Sequence, residues 1–480
     1  MTPTRDEIEE ALRAIRHPAL RYADIRFTRT DRQDVRIRNG KVEGLSAQTD
    51  RAVGVRVLVG HGWGFAASTV IDGDSLRLTA LRAVEVAAAS DLASNRKVVL
   101  SDIEPHVATW RSSFDIDPWA VTLDQKIDHL LGATEPMRGD PRIHQVLGEI
   151  SSYRQHKLFA SSVGSFIDQT TTEMGGGIEA AAIEGSEFQR RTYPNAFGGD
   201  FHAAGWEFIE GLDFPGQALR VRDEALALLS APKAPAGAHD LIIGSSQLAL
   251  QVHESCGHPT ELDRALGLEI SLAGGSFLQP DMLGTFQYGS PLVNIVADAT
   301  VPQSIGSFAF DDDGVPAQRF HLIRDGIFVG YLTGRDTAPA LGARSNGTVR
   351  AESAARIPII RMTNINLEAG ATPLADIVAD TRRGILVDTN KSWSIDDLRL
   401  NFQFGCEVAW EIENGKIGRL LRNPIYTGAT PEFWRSCDAV GDQASWQIWG
   451  LPNCGKGDPL QTMRVAHGAP AARFRRVEMA

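Results

Sequence analysis

Two imidazoles and a carboxylate stand within six residues, in His253-Glu254-Ser255-Cys256-Gly257-His258. Such a set can hold a metal ion and move a proton. The common zinc-protease helix reads H-E-x-x-H, which puts both histidines on one face at i, i+4 with the Glu as general base. Here the spacing is i, i+5. At ~100° per residue an ideal α-helix separates these rings by roughly 140°, too far to share an ion. A π-type turn closes i→i+5 and returns them to one side, and such turns are frequent at functional sites. Gly257 before the second histidine and Pro259 after it suit a helix that distorts there and stops. By this chain's composition an H-E-x-x-x-H arises by chance in about two of a hundred such sequences, which bounds the false-positive risk. The competing reading is a surface helix end with two solvated histidines.

A zinc site needs a third protein ligand and an open fourth position. The candidates are Cys256, Cys406, Cys437 and Cys454. Cys256 would crowd the two histidines, although beside His258 it could serve as the nucleophile of a thiol hydrolase. Cys406 falls in an alternating apolar run, Leu398 to Ile412, and reads as core. Cys437 falls in Pro431 to Val440, predicted as a short helix, and reads as structural. Cys454 lies in Pro452-Asn453-Cys454-Gly455-Lys456-Gly457, a Gly-rich loop whose cation would favour a thiolate. On spacing alone, Cys454 still reads as a small buried apolar residue. His61, His129, His156 and His202 have no ligand-like spacing. Asp311-Asp312-Asp313-Gly314 is oxygen-rich but lacks the later Glu of a calcium loop, so a turn is expected there. Arg350 and Asn346 are candidate donors for an oxyanion.

These residues must be positioned by a chain of 480 residues, long enough for two or more domains. With 43% hydrophobic and 22% charged residues its composition is that of a globular protein. The net charge of −12 argues against nucleic acid as the main partner. Four cysteines make no disulfide framework and point to a reducing compartment. No apolar h-region opens the chain and no run approaches the ~18 residues needed to span a membrane, so a cytoplasmic location is expected.

Helices are predicted over Asp6 to Ile15, over Ser75 to Ala89 with Asp74 or Ser75 as cap, from the capping box Thr122-x-x-Gln125, and over Gln217 to Leu229. Between them lie strands: a hairpin through Asn39-Gly40, a half-buried strand through Val53, Val55, Val57 and Val59, and more strand from 143 to 210. The Pro/Ala/Gly stretch from Ser230 to Gly237 is the best linker, and the domain boundary is placed there. The expected architecture is α+β. Residues 1–230 form an N-terminal α/β domain with an antiparallel sheet and helices; residues 231–480 form a β-rich domain carrying the metal-binding helix. Ser245 or Ser246 is expected to cap that helix, and Gly267 to Gly289 to be loop-like beside it.

Several stretches, in order, resemble the TldD/PmbA metalloprotease family: the HExxxH, then Asp312-Asp313-Gly314-Val315-Pro316-Ala317-Gln318, Arg361-Met362-Thr363-Asn364, Ile412-Glu413-Asn414-Gly415-Lys416-Ile417 and Cys454-Gly455-Lys456. The resemblance extends over nearly the whole chain. The family commonly follows its CGK with Gly-Gln; here Gly457 is followed by Asp458. Because the HExxxH and the CGK cysteine are both present, the chain resembles the catalytic TldD type rather than the TldE (PmbA) type, which lacks the ligands. The resemblance implies a zinc ion held by His253, His258 and Cys454, with Glu254 as general base. It implies peptides or unfolded polypeptides as substrates, and a dimer with a TldE/PmbA-type chain or with itself. It also leaves open a non-catalytic regulatory or assembly role, since the family was once linked to modulation of DNA gyrase.

Overall fold

The computed structural model describes residues 2–272 and 274–480. Its N-terminal half is built on two 19-residue hairpin strands, β1 (Leu20–Arg38) and β2 (Lys41–Val59). Asn39 and Gly40 join them with φ of 50° and 74°, the left-handed pair that a type I′ turn requires. β3 (Gly62–Ser68), β4 (Val107–Arg111), β5 (Ile143–Ser161), β6 (Phe166–Glu184), β7 (Glu187–Tyr193) and β8 (Asp200–His202) complete an eight-stranded sheet. The order is β3-β2-β1-β5-β6-β4, with β7 and β8 also on β6; only β4 pairs in parallel.

Helix Gly73–Ala93 covers one face, burying Leu76, Ala80, Ala83 and Ala87 against Ile25, Phe27, Val53, Val55 and Val57. It lies so close that a Cβ on Gly64 would come within 2.1 Å of the Ala83 carbonyl. Its cap is Asp72, whose side chain accepts from the Ser75 N–H, rather than Asp74 or Ser75. The capping box at Thr122 and Gln125 forms as predicted and opens helix Leu123–Thr134. That helix and Phe214–Ser230 share a second core with β5 and β6.

Residues 52–59 depart from the half-buried strand expected: every one is buried. The alternation is real, but the C-terminal half covers the other face. A Cβ on Gly54 would meet the Ala354 carbonyl, and Arg56 reaches Asp313 at 2.6 Å.

The C-terminal half is β-rich. β9 (Gly237–Ile243) runs parallel to Arg383–Ile395 and antiparallel to Ala472–Met479. The sheet continues through Ile425–Ala429 and Asn401–Glu413 to Lys416–Leu421, and a further pairing of Arg383–Ile395 with Asn401–Glu413 closes it on itself. Helix Ser245–Val252 leaves β9 and is buried from Ser246 onward. Its polar residues Gln247 and Gln251 are bridged by the Tyr426 hydroxyl, which accepts from the Gln247 amide and donates to Gln251 Oε1. Gly244 caps this helix; Ser245 and Ser246 instead donate to the Ala469 carbonyl and to Asp388.

Two further expectations change. Cys437 begins a strand, Cys437–Val440, after a helix that ends at Arg435. Cys454 lies in a strand, Gln447–Lys456, paired with Gln461–Ala469; the two residues Pro452 and Asn453 bulge out of register just before it. The Gly267 to Gly289 stretch is irregular through its described residues apart from one turn at Pro280–Met282, and Ala273 lies outside them. Among the described residues, no helix is long and apolar enough to cross a membrane.

Candidate metal centre

The buried helix widens at the motif. Residues His253–Gly257 form a π turn in which the His258 N–H donates to the His253 carbonyl, the i→i+5 bond that the spacing demanded. Gly257 makes room for it: a Cβ there would lie 2.1 Å from Met362 Sδ. The two rings meet edge to face with centroids 4.8 Å apart. Cys454 comes in from the other end of the chain, its Sγ 3.9 Å from His258 Nε2. One donor atom each from His253, His258 and Cys454 lie within 4.8 Å of one another, and among the described residues this is the one such group of three. A tetrahedral zinc with N and S ligands needs donor separations of ~3.4–3.7 Å, so a small contraction suffices.

The outer nitrogens of both rings are occupied. His258 Nδ1 lies 3.0 Å from Glu261 Oε2, which also accepts from Arg264 Nε at 2.7 Å. Lys456 stands 3.4 Å from Glu261 Oε1, and bonds both Asp263 oxygens at 2.8 Å and the Ile360 carbonyl at 2.7 Å. It thereby ties the Cys454 strand to the motif. His253 Nδ1 lies 2.7 Å from His467 Nε2. Groups of this kind orient metal-binding histidines.

The electrostatics favour ligation. Burial pushes His253 and His258 down to about 4, so both rings are neutral at pH 7. Burial opposes the Cys454 thiolate, but the Arg361 guanidinium foremost, with contact from His258, outweighs it and holds this thiol below its ordinary value. Burial likewise opposes ionisation of Glu261, yet Lys456, His258 and Arg264 keep its carboxyl well below the usual range. The other thiols behave oppositely: burial pushes Cys256 and Cys406 far up and Cys437 up to about 12. Cys256 sits in the apolar core, which makes it a poor nucleophile.

Glu254 is buried beside the rings, and its Oε2 accepts from Arg399 Nη1 at 2.7 Å. Arg399 has a φ of 64°, strained for a residue with a Cβ. The turn is held by Asp396, which accepts from the Leu400 and Asn401 N–H groups.

Both candidate oxyanion donors bond the backbone, although Arg350 Nε has no partner among the described residues. Asn346 bonds the Tyr331 carbonyl and Thr333. Arg350 donates to the carbonyls of Arg464 and Met362. The four histidines without ligand-like spacing lie elsewhere: His61 meets Arg21, His156 bonds Asp168, His129 packs on Trp206 and His202 stacks on Phe208. Sequence reasoning missed His467, Glu261 and Arg399. Glu261 stands three residues past His258, a separation that lets helical side chains meet. His467 and Arg399 lie 214 and 145 residues from their partners and carry no local signal.

Comparison with known proteins follows the same lines. Residues 236–480 match the PmbA/TldA metallopeptidase C-terminal domain, residues 23–87 its domain 1 and residues 116–229 its central domain. The chain belongs to the PmbA/TldD metallopeptidase family. Relatives in this family include a Methanocaldococcus jannaschii metalloprotease, 28% identical over 94% of this chain and 95% of its own. A Haemophilus influenzae metalloprotease TldD homolog is 28% identical over 95% and 92%. The PmbA/TldD fold recurs in the crystal structure of TldE from Thermococcus kodakarensis, with a TM-score of 0.73 at 18% identity over 99% of both chains. A Thermotoga maritima structure named for modulation of a DNA gyrase gives 0.77 at 16% identity, again over 99% of both.

Proposed function

We propose that this chain is a zinc-dependent metallopeptidase that hydrolyses peptide bonds in peptides or unfolded polypeptides. His253, His258 and Cys454 are the zinc ligands in this reading, Glu254 is the general base, and residues 231–480 form the metallopeptidase domain behind an N-terminal domain of residues 1–230. The observation that carries it is the convergence of three buried donors whose outer nitrogens are already engaged. Two neutral imidazoles and a thiol of lowered pKa are the donor set that zinc prefers. When bound, zinc supplies a Lewis acid and lowers the pKa of coordinated water toward ~7.

The chain's own residues do the rest. Arg399 holds Glu254 by Oε2, and no other described residue bonds Oε1. Glu254 therefore has one oxygen free to take the proton of the attacking water and return it to the leaving amine. A cleft of about 680 Å³ between the N-terminal sheet and the C-terminal half is lined by Thr28, Gln169, Phe310 and Arg350. It reaches Pro452 and Met463, close neighbours of Cys454 in the hairpin. Backbone pairing in such a cleft tolerates many sequences. The family resemblance implies a dimer with a TldE/PmbA-type chain or with a second copy, and four free cysteines fit a cytoplasmic setting. Intact candidate ligands argue against a purely structural or regulatory role, and a net charge of −12 gives DNA binding no support.

The test is metal content and casein cleavage of the purified chain beside Cys454→Ala and Glu254→Gln. One zinc per chain is expected, lost in Cys454→Ala. Glu254→Gln keeps the zinc while cleavage falls by about 10²–10⁴. Full zinc and activity in Cys454→Ala overturns the ligand set; zinc without cleavage in the wild type calls for the partner chain.

A further inference from the structure

The two candidate ligands are backed differently. His258 leans on a carboxylate, Glu261, whose charge is balanced by Arg264 and Lys456. His253 leans on a second imidazole, His467. The metal-site reading uses His467 only as the neighbour that occupies the outer nitrogen of His253; the residue is fully buried on strand Gln461–Ala469. A polar ring there is costly unless both nitrogens are bonded. Its Nε2 faces His253 Nδ1 at 2.7 Å with the rings at 82°. Its Nδ1 faces the Ile365 backbone, 3.2 Å from the carbonyl oxygen and 3.3 Å from the nitrogen.

Two directions of hydrogen bonding are self-consistent. In one, His467 Nδ1–H donates to the Ile365 carbonyl, so its Nε2 accepts from His253 Nδ1–H. The lone pair of His253 then sits on Nε2, turned toward the other donors. In the reverse direction the Ile365 N–H donates to His467, His467 Nε2–H donates to His253 Nδ1, and His253 carries its proton on Nε2. Only the first leaves a ligand. The Ile365 carbonyl, 3.2 Å from Nδ1, supplies the acceptor that this ligand-competent direction needs; the Ile365 N–H, 3.3 Å away, supplies the donor of the reverse.

We propose that His467 is a positioning residue: anchored on the Ile365 carbonyl, it holds His253 in the Nδ1–H tautomer and aims its Nε2 lone pair at His258 and Cys454. This rests on the metal-site reading above. It adds that the strand pair carrying Cys454 also supplies the group that makes His253 a ligand, so one hairpin completes the site twice. His467→Gln keeps an acceptor for His253 and a donor for the carbonyl, whereas His467→Leu keeps the volume and loses both.

Zinc affinity by chelator competition, with the wild type, His467→Gln and His467→Leu, tests this. His467→Leu is expected to bind zinc about 10–100-fold more weakly, with His467→Gln close to the wild type. Long-range ¹H–¹⁵N spectra of metal-free, histidine-labelled wild type read the tautomer directly and need no variant to fold; His253 is expected as Nδ1–H. Equal affinity in His467→Leu, equal loss in both variants, or an Nε2–H tautomer in the wild type overturns the proposal. A wild type that binds no zinc sinks the metal-site reading instead, while the spectra still decide the tautomer.

Discussion

Two buried polar clusters in this protein are built on opposite plans. One is the Asp311-Asp312-Asp313 turn, where the N-terminal sheet meets the C-terminal half. All six of its carboxylate oxygens are occupied. Asp311 accepts from the N–H groups of Asp313, Val315 and Val349. Asp312 takes Lys157 at 2.6 Å and the Ala351 N–H at 2.7 Å. Asp313 takes Arg56 at 2.6 Å and the Arg335 N–H at 3.2 Å. The other is the histidine–cysteine cluster, whose satisfied atoms all lie on the outside and whose remaining lone pairs converge. The first closes on itself and locks two parts of the chain together. The second is held rigid from behind and left open in front. Three adjacent aspartates are rich in oxygen, but every one of their oxygens is already taken, in keeping with the turn expected there.

The comparison can be broken in four ways. The largest effect expected is with pH. His253 and His258 fall from an ordinary 6.5 to about 4 in the fold, so between those values the unfolded chain binds protons that the native one refuses. Stability is therefore full above pH 6.5 and falls as pH drops to 4, by roughly 3 kcal/mol per ring. Denaturation midpoints of metal-free protein across this range should show it, and a His253→Gln, His258→Gln double variant should flatten the slope. An unchanged slope would mean that the rings are already charged.

Next, Asp312→Ala leaves the partly buried Lys157 without its carboxylate and the buried Arg26 with Asp24 alone. A loss of about 3–5 kcal/mol is expected, with zinc still bound one per chain; loss of zinc would show that the two clusters are not separate. Smaller is Arg399→Gln, which releases Glu254 without touching a ligand: cleavage should drop by up to about 100-fold at unchanged zinc content. Equal cleavage would leave Arg399 only a structural part. The smallest effect is none at all. Added calcium should not move the melting temperature, because the Asp311–Asp313 oxygens are all taken; a rise would mean that one is free.

Much of the arrangement was legible in local pattern. The i, i+5 spacing called for a π turn, the Asn39-Gly40 pair for a type I′ hairpin, and Thr122 with Gln125 for a capping box; each depends on a few neighbouring residues. What failed depended on distant ones. The valines of β2 alternate as if one face met water, but Ala354 and Asp313 cover that face from 250 residues or more away. Pro452 to Gly457 has the composition of a loop, yet its partner strand draws it into a hairpin with a bulge. The serines at 245 and 246 are good caps in isolation, but their hydroxyls are taken by Ala469 and Asp388.

By itself the sequence determined the donor types and the phase of the two histidines, because five residues of one helix and a glycine settle both. The tertiary structure brings Cys454, of the four cysteines, to within 4.8 Å of both histidines, a juxtaposition that the family resemblance implied but that spacing along the chain does not encode. It also decided what stands behind each ring, Glu261 for one and His467 for the other. Backing groups are chosen by the packing of strands hundreds of residues apart, and no local spacing encodes that.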